Sequence, residues 1–226
     1  TNPTTVAKID EVKIETVNPV AAEPIDRHDI LSVAAGGLTQ GLMLQKRIKD
    51  GEELLFAPNQ QTPFTGSAAW YYDNGKLSKV YQFKDGKKNG LQTKWWENGK
   101  KGSEENYKDG KLDGLVARWY DNGQKKMEAN YKDGKPDGLI RGWYENGQKK
   151  GEGNGKEGKV MSAAAWKPNG EKCPLTNLKE GNGVSVAYYE SGQMMLKENY
   201  KDGNRNGSYV WWNENGRKSI EKNYKN

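Results

Sequence analysis

Short runs of alternating apolar and polar residues, each about seven residues long, are separated by glycine turns through most of this chain. One period extends from Gly90 to Gly114, with a first run that ends at Asn98-Gly99 and a second that ends at Asp109-Gly110. Runs bounded by Asn-Gly or Asp-Gly predict pairs of antiparallel strands joined by tight turns. Each period therefore predicts one β-hairpin, and the series predicts a meander of hairpins without intervening helices.

The hairpins recur with a period of about 24 residues. The glycine of the first turn occurs seven times, at Gly75, Gly99, Gly123, Gly147, Gly170, Gly192 and Gly216. A second turn, Lys-Asp-Gly or a degenerate form of it, falls between them at Gly86, Gly110, Gly134, Gly158, Gly181 and Gly203. Such self-similarity is typical of repeat proteins, whose units bury apolar surface against their neighbours. The predicted fold is all-β: an elongated, single-layer, solenoid-like array of about seven antiparallel hairpins.

The regular period begins only after a different N-terminal part. Residues 1–40 show no repeat and are predicted to be a segment that either caps the array or forms a linker. Residues 41–69 contain both repeat turns but a much longer loop between Gly51 and Gly66, and are predicted to be a divergent capping repeat. Residues 70–226 are predicted to form the array itself. An atypical terminal unit is expected, because its outer face must meet water.

Aromatic residues occupy two adjacent positions of the period. Four residues before the first-turn glycine stand Tyr71, Trp95, Trp119, Trp143, Trp166, Tyr188 and Trp212. The next position includes Trp96, Tyr120, Tyr144 and Tyr189. Successive strand residues face opposite ways, so the two columns cannot line one surface. We expect the first column to supply the core and the second to be more accessible, although the first column could also form a groove for a peptide, a sugar ring or an acyl chain.

The middle units are the predicted partner-binding region. The residues assigned to it are Trp96, Tyr120, Tyr144 and Tyr189, together with Trp119 and Trp143.

Composition and charge narrow the classes of partner. The mean hydropathy is -1.07, and the sequence contains no run of 18 apolar residues, so no transmembrane segment is predicted. Residues 1–69 carry 6 basic and 9 acidic residues, whereas residues 70–226 carry 30 and 21. A basic array can attract acidic proteins, lipid headgroups or polyanions, but lysines also keep exposed strands from pairing. The interspersed acidic residues break any continuous phosphate track, which argues against nucleic acid.

Candidate catalytic and metal-binding residues are few. His28 and Cys173 are the single histidine and cysteine, so a zinc site of Cys/His composition is excluded, and a buried or incidental thiol is a better interpretation than a catalytic Cys173–His28 pair. Glu104, Glu128 and Glu152 share one column and thus equivalent environments, whereas acid/base chemistry needs carboxyl groups with different pKa values, so a solvated face is favoured over a catalytic pair. The aspartates of the Lys-Asp-Gly turns lack calcium-loop spacing. We therefore predict a non-enzymatic protein without metal or cofactor.

The motifs Trp119-Tyr-Asp-Asn-Gly123, Tyr131-Lys-Asp-Gly-Lys-Pro-Asp-Gly138 and Tyr200-Lys-Asp-Gly203 resemble the MORN repeat, in the variant found in the bacterial YwqK-like antitoxin family. The resemblance covers about residues 64–226. It implies stacked β-hairpins with a groove lined by aromatics and glycines, and a role in protein or lipid association. Two units depart from the pattern: Gly155 replaces the usual tyrosine, and the chain is irregular around Cys173. These departures predict a bend or a specialised region.

The predicted function is a repeat scaffold that binds a protein partner, and the resemblance adds a cognate toxin as a candidate. Two alternatives are attachment to an anionic lipid or envelope glycan through the Lys-rich edge, and a structural spacer. The start at Thr1 without a basic and apolar leader favours an exported protein (periplasmic, envelope-tethered or extracellular) whose leader has been removed, with a cytoplasmic location left open. Unpaired terminal strands would also permit oligomers formed by edge-strand pairing.

Overall fold

The computed structural model describes residues 30–32 and 44–225 of the 226-residue chain. The described residues form strands and turns, with no helix among them, and the strands pair as antiparallel hairpins. The predicted all-β class is therefore confirmed. His28 and the other residues predicted as a linker lie outside the described residues, apart from residues 30–32. The chain divides into two compact units, Thr1–Lys87 and Lys88–Asn226.

The described residues of the first unit form five strands and the first residue of a sixth. They are β1 (Ile30–Ser32), β2 (Gln45–Lys49), β3 (Glu52–Phe56), β4 (Gly66–Tyr71), β5 (Leu77–Lys84) and β6 (Lys87–Lys88). Strand β4 lies between β1 and β5 in one antiparallel sheet, and β2 pairs with β3 in a separate hairpin. Three residues of the predicted N-terminal segment thus belong to a sheet.

The capping region is held by hydrogen bonds and by a small aromatic core. The amide of Leu55 donates a hydrogen bond to the carbonyl oxygen of Gly86 at 3.1 Å. The amide of Phe64 donates a hydrogen bond to the carbonyl oxygen of Leu55 at 2.8 Å. The long loop after β3 therefore returns to its own hairpin. The buried core of this unit consists of Leu44, Phe64, Ala68, Trp70 and Phe83.

The second unit contains two antiparallel sheets. The first consists of β7 (Gly90–Trp95), β8 (Lys101–Lys108), β9 (Lys111–Trp119), β10 (Lys125–Lys132), β11 (Lys135–Trp143), β12 (Lys149–Lys156) and β13 (Lys159–Ala165), in sequence order. The second consists of β14 (Gly183–Tyr188), β15 (Met194–Lys201), β16 (Asn204–Trp212) and β17 (Lys218–Tyr224). Between the sheets, residues 166–182 form turns and two isolated bridges, so the fifth Asn-Gly hairpin is reduced to the Trp166–Lys172 bridge.

The Lys-Asp-Gly turns place two successive residues in the left-handed region. At the β15–β16 turn, φ is 51° at Asp202 and 77° at Gly203. Positive φ at both central positions matches the right-handed twist of the flanking strands, and aspartate and glycine tolerate it. Turn chemistry therefore accounts for these aspartates, as predicted.

The Asn-Gly turns are built differently from the Lys-Asp-Gly turns. At the β16–β17 turn the amide of Gly216 donates to the carbonyl oxygen of Asn213, and φ is positive at Gly216 but not at Asn215. The asparagine uses its side chain instead, because its Oδ1 accepts a hydrogen bond from the amide of Arg217 at 3.1 Å. A type I turn followed by a left-handed glycine explains the register shift that follows, between Trp211 and Trp212.

Both kinds of turn are also bonded to the neighbouring hairpin. Asparagine side chains donate to the next Asn-Gly turn, with Nδ2 of Asn98, Asn122 and Asn146 bonded to the carbonyl oxygens of Asp121, Glu145 and Pro168 at 2.7–3.0 Å. In the other kind of turn, the glycine amide donates a hydrogen bond to a backbone carbonyl oxygen of the previous hairpin. These bonds run from Gly110 to Lys88, Gly134 to Leu112, Gly158 to Pro136, Gly181 to Met161 and Gly203 to Gly181, at 2.8–3.0 Å. The glycine series continues across the interruption between the two sheets.

A pair of glycine substitutions separates backbone strain from crowding. A Cβ atom at Gly203 would lie 2.6 Å from Cβ of Lys159, whereas one at Gly216 would meet nothing within 4 Å, although both residues have positive φ. We expect Gly216→Ala to lower the free energy of unfolding by about 1–2 kcal/mol through left-handed strain. Gly203→Ala should lower it by a further 1–3 kcal/mol or so, since a neighbour must move. Urea denaturation measures both, and equal losses would contradict the close packing of the turns.

A pair of asparagine substitutions tests the bonds between hairpins. Asn122 accepts from the amide of Gln124 and donates to the carbonyl oxygen of Glu145, whereas Asn215 caps the amide of Arg217 within its own turn. Since each bond contributes about 0.5–1.5 kcal/mol, Asn122→Ala should destabilise the protein more than Asn215→Ala. Thermal unfolding of the two variants provides the comparison, and an equal loss would mean that the bond to Glu145 adds nothing.

Candidate binding face

Cross-strand register assigns residues to one face of the first sheet of the second unit. Directly paired residues place Thr93, Glu104, Ala117, Glu128, Arg141, Glu152 and Ala164 in a single row. Residues two positions away on the same strand share that face. On one side the row is therefore flanked by Leu91, Leu115 and Leu139, which alternate with Asn106, Asn130 and Asn154 of the intervening strands. On the other side it is flanked by Trp95, Trp119 and Trp143, which alternate with Lys101, Lys125 and Lys149. We call these three rows together the Leu–Trp face.

The leucine row was not among the residues predicted from the sequence. Leu91 is 38% exposed and Leu115 is 47% exposed, and the two leucines occupy equivalent positions of successive hairpins. Each of the three leucines directly follows a glycine of the form Asn-Gly or Asp-Gly, at Gly90, Gly114 and Gly138. That repeated position is the sequence signal by which the row could have been found.

The tryptophan row is half-buried, and lysine side chains cover part of it. The ammonium groups of Lys101 and Lys125 each lie 5.5 Å from the ring centres of Trp119 and Trp143, respectively. In both pairs the lysine belongs to the preceding hairpin, so the contact joins neighbouring units. Trp119 and Trp143, predicted as partner-binding residues, are thus placed on the Leu–Trp face, with part of each ring accessible.

The central row carries charged groups that are paired with one another. Lys125 lies 2.7 Å from Glu128, Lys149 lies 3.1 Å from Glu152, and Arg141 joins both glutamates at 3.2 and 3.1 Å. Hydrogen bonds from the lysines and from Arg141 lower the pKa of both carboxyl groups below their usual value. Two ionised carboxylates in equivalent surroundings do not form an acid/base pair. The glutamates are thus ion-paired and partly buried, where the sequence favoured a solvated face.

The second aromatic column is bonded to the backbone of the next hairpin. Its side chains donate to carbonyl oxygens of the first column: Trp96 to Trp119, Tyr120 to Trp143, Tyr144 to Trp166 and Tyr189 to Trp212, at 2.7–3.2 Å. All four side chains carry an N–H or O–H donor, which phenylalanine would lack. This column therefore has a structural role between hairpins.

The predicted accessibility of that column is wrong for Tyr144. Trp96 is 41% exposed and Tyr120 and Tyr189 are half-buried, but the Tyr144 side chain is fully buried. It packs in a core cluster with Ala165, Val186 and Tyr188, the last two from the second sheet of this unit. The contact follows from the packing of two sheets, which no local pattern specifies.

Glu190, in the turn between β14 and β15, adds a polar contact beside this core. One of its carboxylate oxygens lies 3.3 Å from the Tyr120 hydroxyl and 3.4 Å from the amide of Glu145. Burial, followed by the charge of Glu190, raises the pKa of Tyr120 to about 12. Burial likewise raises the pKa of Tyr144. These hydroxyls therefore stay protonated well above the usual range for tyrosine.

Cys173 is a buried member of the same core cluster. Its Sγ lies 2.9 Å from the Tyr188 hydroxyl, and the side chain is 2% exposed. The thiol is packed in the core between the sheets, which is consistent with the interpretation as a buried thiol. Its proposed partner, His28, lies outside the described residues.

The interruption between the sheets contains a cleft of about 320 Å³. Its walls include Gly151, Gly153 and Ala163 from the first sheet and Val186 and Ala187 from the second. The sequence predicted a bend or a specialised region here, from Gly155 and the irregular stretch around Cys173. The structure places the end of one sheet and the start of the next at this point.

No group of three or more His, Cys, Asp or Glu side chains within residues 44–225 is arranged to hold a metal ion. In the same part of the chain, no helix has the length and apolar character needed to cross a membrane.

Comparison with protein families identifies the repeat. Residues 64–85, 88–109, 112–133, 136–157 and 182–202 match the MORN repeat variant. The chain thus carries MORN repeats of this variant across residues 64–202, and such repeats are generally non-catalytic. The gap from 158 to 181 contains the interruption between the sheets. No curated protein matches the chain significantly. The repeat type predicted from the motifs is confirmed over this range, whereas membership of the antitoxin family stays a prediction.

The raised tyrosine pKa values predict a loss of stability in alkali. Tyr120 keeps its proton to about pH 12 in the folded protein, whereas the unfolded chain releases it near pH 10. The contribution of Tyr120 to the free energy of unfolding is therefore complete below pH 10 and is lost as the pH rises towards 12. The Tyr120→Phe variant should lose stability less steeply than the unchanged protein over that pH range. Its stability at neutral pH should be lower, because the hydrogen bond to the carbonyl oxygen of Trp143 is absent. Urea midpoints near pH 8 and pH 11 give the two slopes, and parallel slopes would contradict the prediction.

Proposed function

We propose that this chain is a non-enzymatic MORN-repeat scaffold that binds a protein partner through the Leu–Trp face. The observation that carries the proposal is the exposure of Leu91 and Leu115 in line with half-buried tryptophans on one side of a regular sheet. Apolar side chains that recur on one face among polar neighbours mark a candidate interaction site. Tryptophan is also among the residues that contribute most to protein interfaces.

The charges on this face support a protein partner better than a membrane or a glycan polyanion. A surface that binds a polyanion needs cations that are available to it. Here Lys125, Lys149 and Arg141 already contact glutamates, so the positive charge is largely compensated. Binding that depends mainly on apolar contact should tolerate salt, since screening weakens only the exposed charge pairs.

The partner-binding residues are therefore reassigned in part. Trp119 and Trp143 stay in the proposed site and are joined by Leu91, Leu115 and Leu139. Trp96, Tyr120 and Tyr189 instead bond hairpin to hairpin, and Tyr144 is inaccessible. A toxin paired with an antitoxin of this repeat type is one candidate partner, and export to the cell envelope stays a prediction.

Capture from an extract of the source organism tests the proposal. We expect the full chain to retain a specific protein at high salt, and the double variant Leu91→Gln/Leu115→Gln to retain at least about tenfold less of it. The reason is that both substitutions remove exposed apolar area without altering a buried residue. Quantitative mass spectrometry of the retained proteins gives the ratio.

Leu175→Gln is the matched control, because Leu175 is 50% exposed but lies in the interruption between the sheets. It should leave capture unchanged. Equal capture by all three proteins would refute the assignment to this face. Retention of only lipid or glycan, released by salt, would favour the Lys-rich edge, and retention of nothing would favour a spacer.

A further inference from the structure

We propose that the second sheet binds a second copy of this chain through its outer face, the side that is turned away from the core shared with the first sheet. The outer face consists of Ala187, Leu196, Trp211 and Ile220, together with the residues that share their side of strands β14–β17. This inference goes beyond the proposed function, because it concerns a different sheet and does not involve the Leu–Trp face.

Strand β14 shows which side of the second sheet is turned outward. Val186 and Tyr188 are 4% and 5% exposed, and both pack with Tyr144 of the first sheet in one core cluster. Successive residues of a strand face opposite ways, so Ala187 lies on the other side of the sheet. Among the described residues, no member of that core cluster belongs to this outer side.

An uninterrupted apolar row crosses the outer face from strand to strand. Direct cross-strand pairs join its four members in the order Ala187, Leu196, Trp211 and Ile220. Ile220 is 40% exposed, and the other three are half-buried. In the first sheet, the same positions of the repeat begin with Lys94, Ser103 and Arg118. The apolar row is therefore a feature of the second sheet that the repeat itself does not require, and it marks a candidate interaction face.

The order of side-chain sizes along this row favours a second copy of the same face as the partner. The row runs from the small Ala187 on β14 to the large Trp211 and Ile220 on β16 and β17. A two-fold axis parallel to the strands, between β15 and β16, reverses this order in the second copy. Ala187 then lies opposite Ile220 of the second copy, and Leu196 lies opposite its Trp211. Two sheets that pack face to face interdigitate in this way when small side chains meet large ones.

A second row of the outer face fits the same axis. On β14 and β15, Gly183 is paired with Tyr200, and on β16 and β17, Gly207 is paired with Tyr224. The axis places Gly183 opposite Tyr224 of the second copy and Gly207 opposite its Tyr200. Each tyrosine ring therefore meets a residue without a side chain, as the apolar row also requires of its small member. Two rows with different residues thus point to one symmetry.

The charged groups of the outer face are compatible with burial between two copies. Glu198 is 4% exposed, and a guanidinium nitrogen of Arg205 lies 2.9 Å from its carboxylate, so these two charges already compensate one another. Lys222 has no ion pair within residues 44–225, and the axis places it opposite Ser185 of the second copy. No two like charges therefore face one another across the axis, which would otherwise oppose association.

The size of the outer face predicts a weak dimer. Four strands are roughly 19 Å wide, and the rows with their side chains extend roughly 20 Å along the strands, which gives a footprint of about 400 Å² per copy. Stable interfaces bury about 800 Å² per partner. The association should therefore be reversible and should become visible only at high protein concentration.

Sedimentation velocity of the full chain over a wide range of concentrations tests the inference. We expect the mass to rise from 25.4 kDa towards twice that value, and to return on dilution. Ile220→Glu should raise the dissociation constant at least about tenfold, because association would bury an unpaired carboxylate opposite Ala187. Leu91→Gln/Leu115→Gln should leave the constant unchanged, so a failure of this inference is distinguishable from a failure of the proposed function.

An exchange of the two facing residues tests the symmetry itself. Ala187→Ile alone should crowd the interface and Ile220→Ala alone should leave a gap, so each should weaken the dimer. The double variant Ala187→Ile/Ile220→Ala should restore the dissociation constant to within about threefold of that of the unchanged protein. Within one chain the two residues lie three strands apart, or about 14 Å, so a contact between them inside one copy does not account for such restoration.

Three results would overturn the inference. The first is a chain that stays monomeric at every concentration, and the second is a dimer that Ile220→Glu does not weaken. The third is an exchange variant that associates no better than the single variants. Circular dichroism of each variant verifies that the β-structure is retained, and Ile220→Ala provides a milder change at the same exposed position if Ile220→Glu does not fold.

Discussion

Hydrogen bonds between successive hairpins are the interaction on which the second unit depends. At one edge of the sheet, turn glycines such as Gly110 donate to the previous turn, and at the other edge tyrosines such as Tyr120 donate to the next hairpin. An unpaired backbone carbonyl away from water costs about 1–3 kcal/mol. Each hairpin therefore supplies hydrogen-bond partners for backbone groups of its neighbour. This allows a stable stack although only 33% of the residues are hydrophobic.

These bonds also divide the two faces of the sheet between different tasks. The donor column that includes Tyr120 and Tyr144 directly follows the strands that end at Trp119 and Trp143. We call the side of the sheet on which Tyr144 packs the donor side. The donor side receives the second sheet, which buries Tyr144. The Leu–Trp side keeps its rows accessible. A surface with repeated apolar rows thus arises from the same two-residue motif that holds the hairpins together.

Much of this fold could be predicted from the sequence because its determinants are local. The Asp202-Gly203 and Asn215-Gly216 turns specify hairpins by their own chemistry, and a constant period carries that information from unit to unit. The burial of Tyr144 was not predictable in this way, since it depends on residues more than 40 positions away. The leucine row was missed for another reason: an apolar residue after a turn glycine resembles a core residue until the strand pairing is known.

The interruption after β13 explains how a regular repeat acquires a second sheet. A Cβ atom at Gly153 would lie 2.3 Å from the carbonyl oxygen of Ser162, so the approach of β13 to β12 requires glycine at that position. At Gly155, where other units carry tyrosine, a Cβ atom would lie 3.1 Å from the carbonyl oxygen of Pro136. Gly155 therefore lies close to the backbone of Pro136 in the preceding hairpin. Small residues let the chain change sheets at this point, and Tyr144 becomes buried while the hairpins from β7 to β12 keep an accessible face.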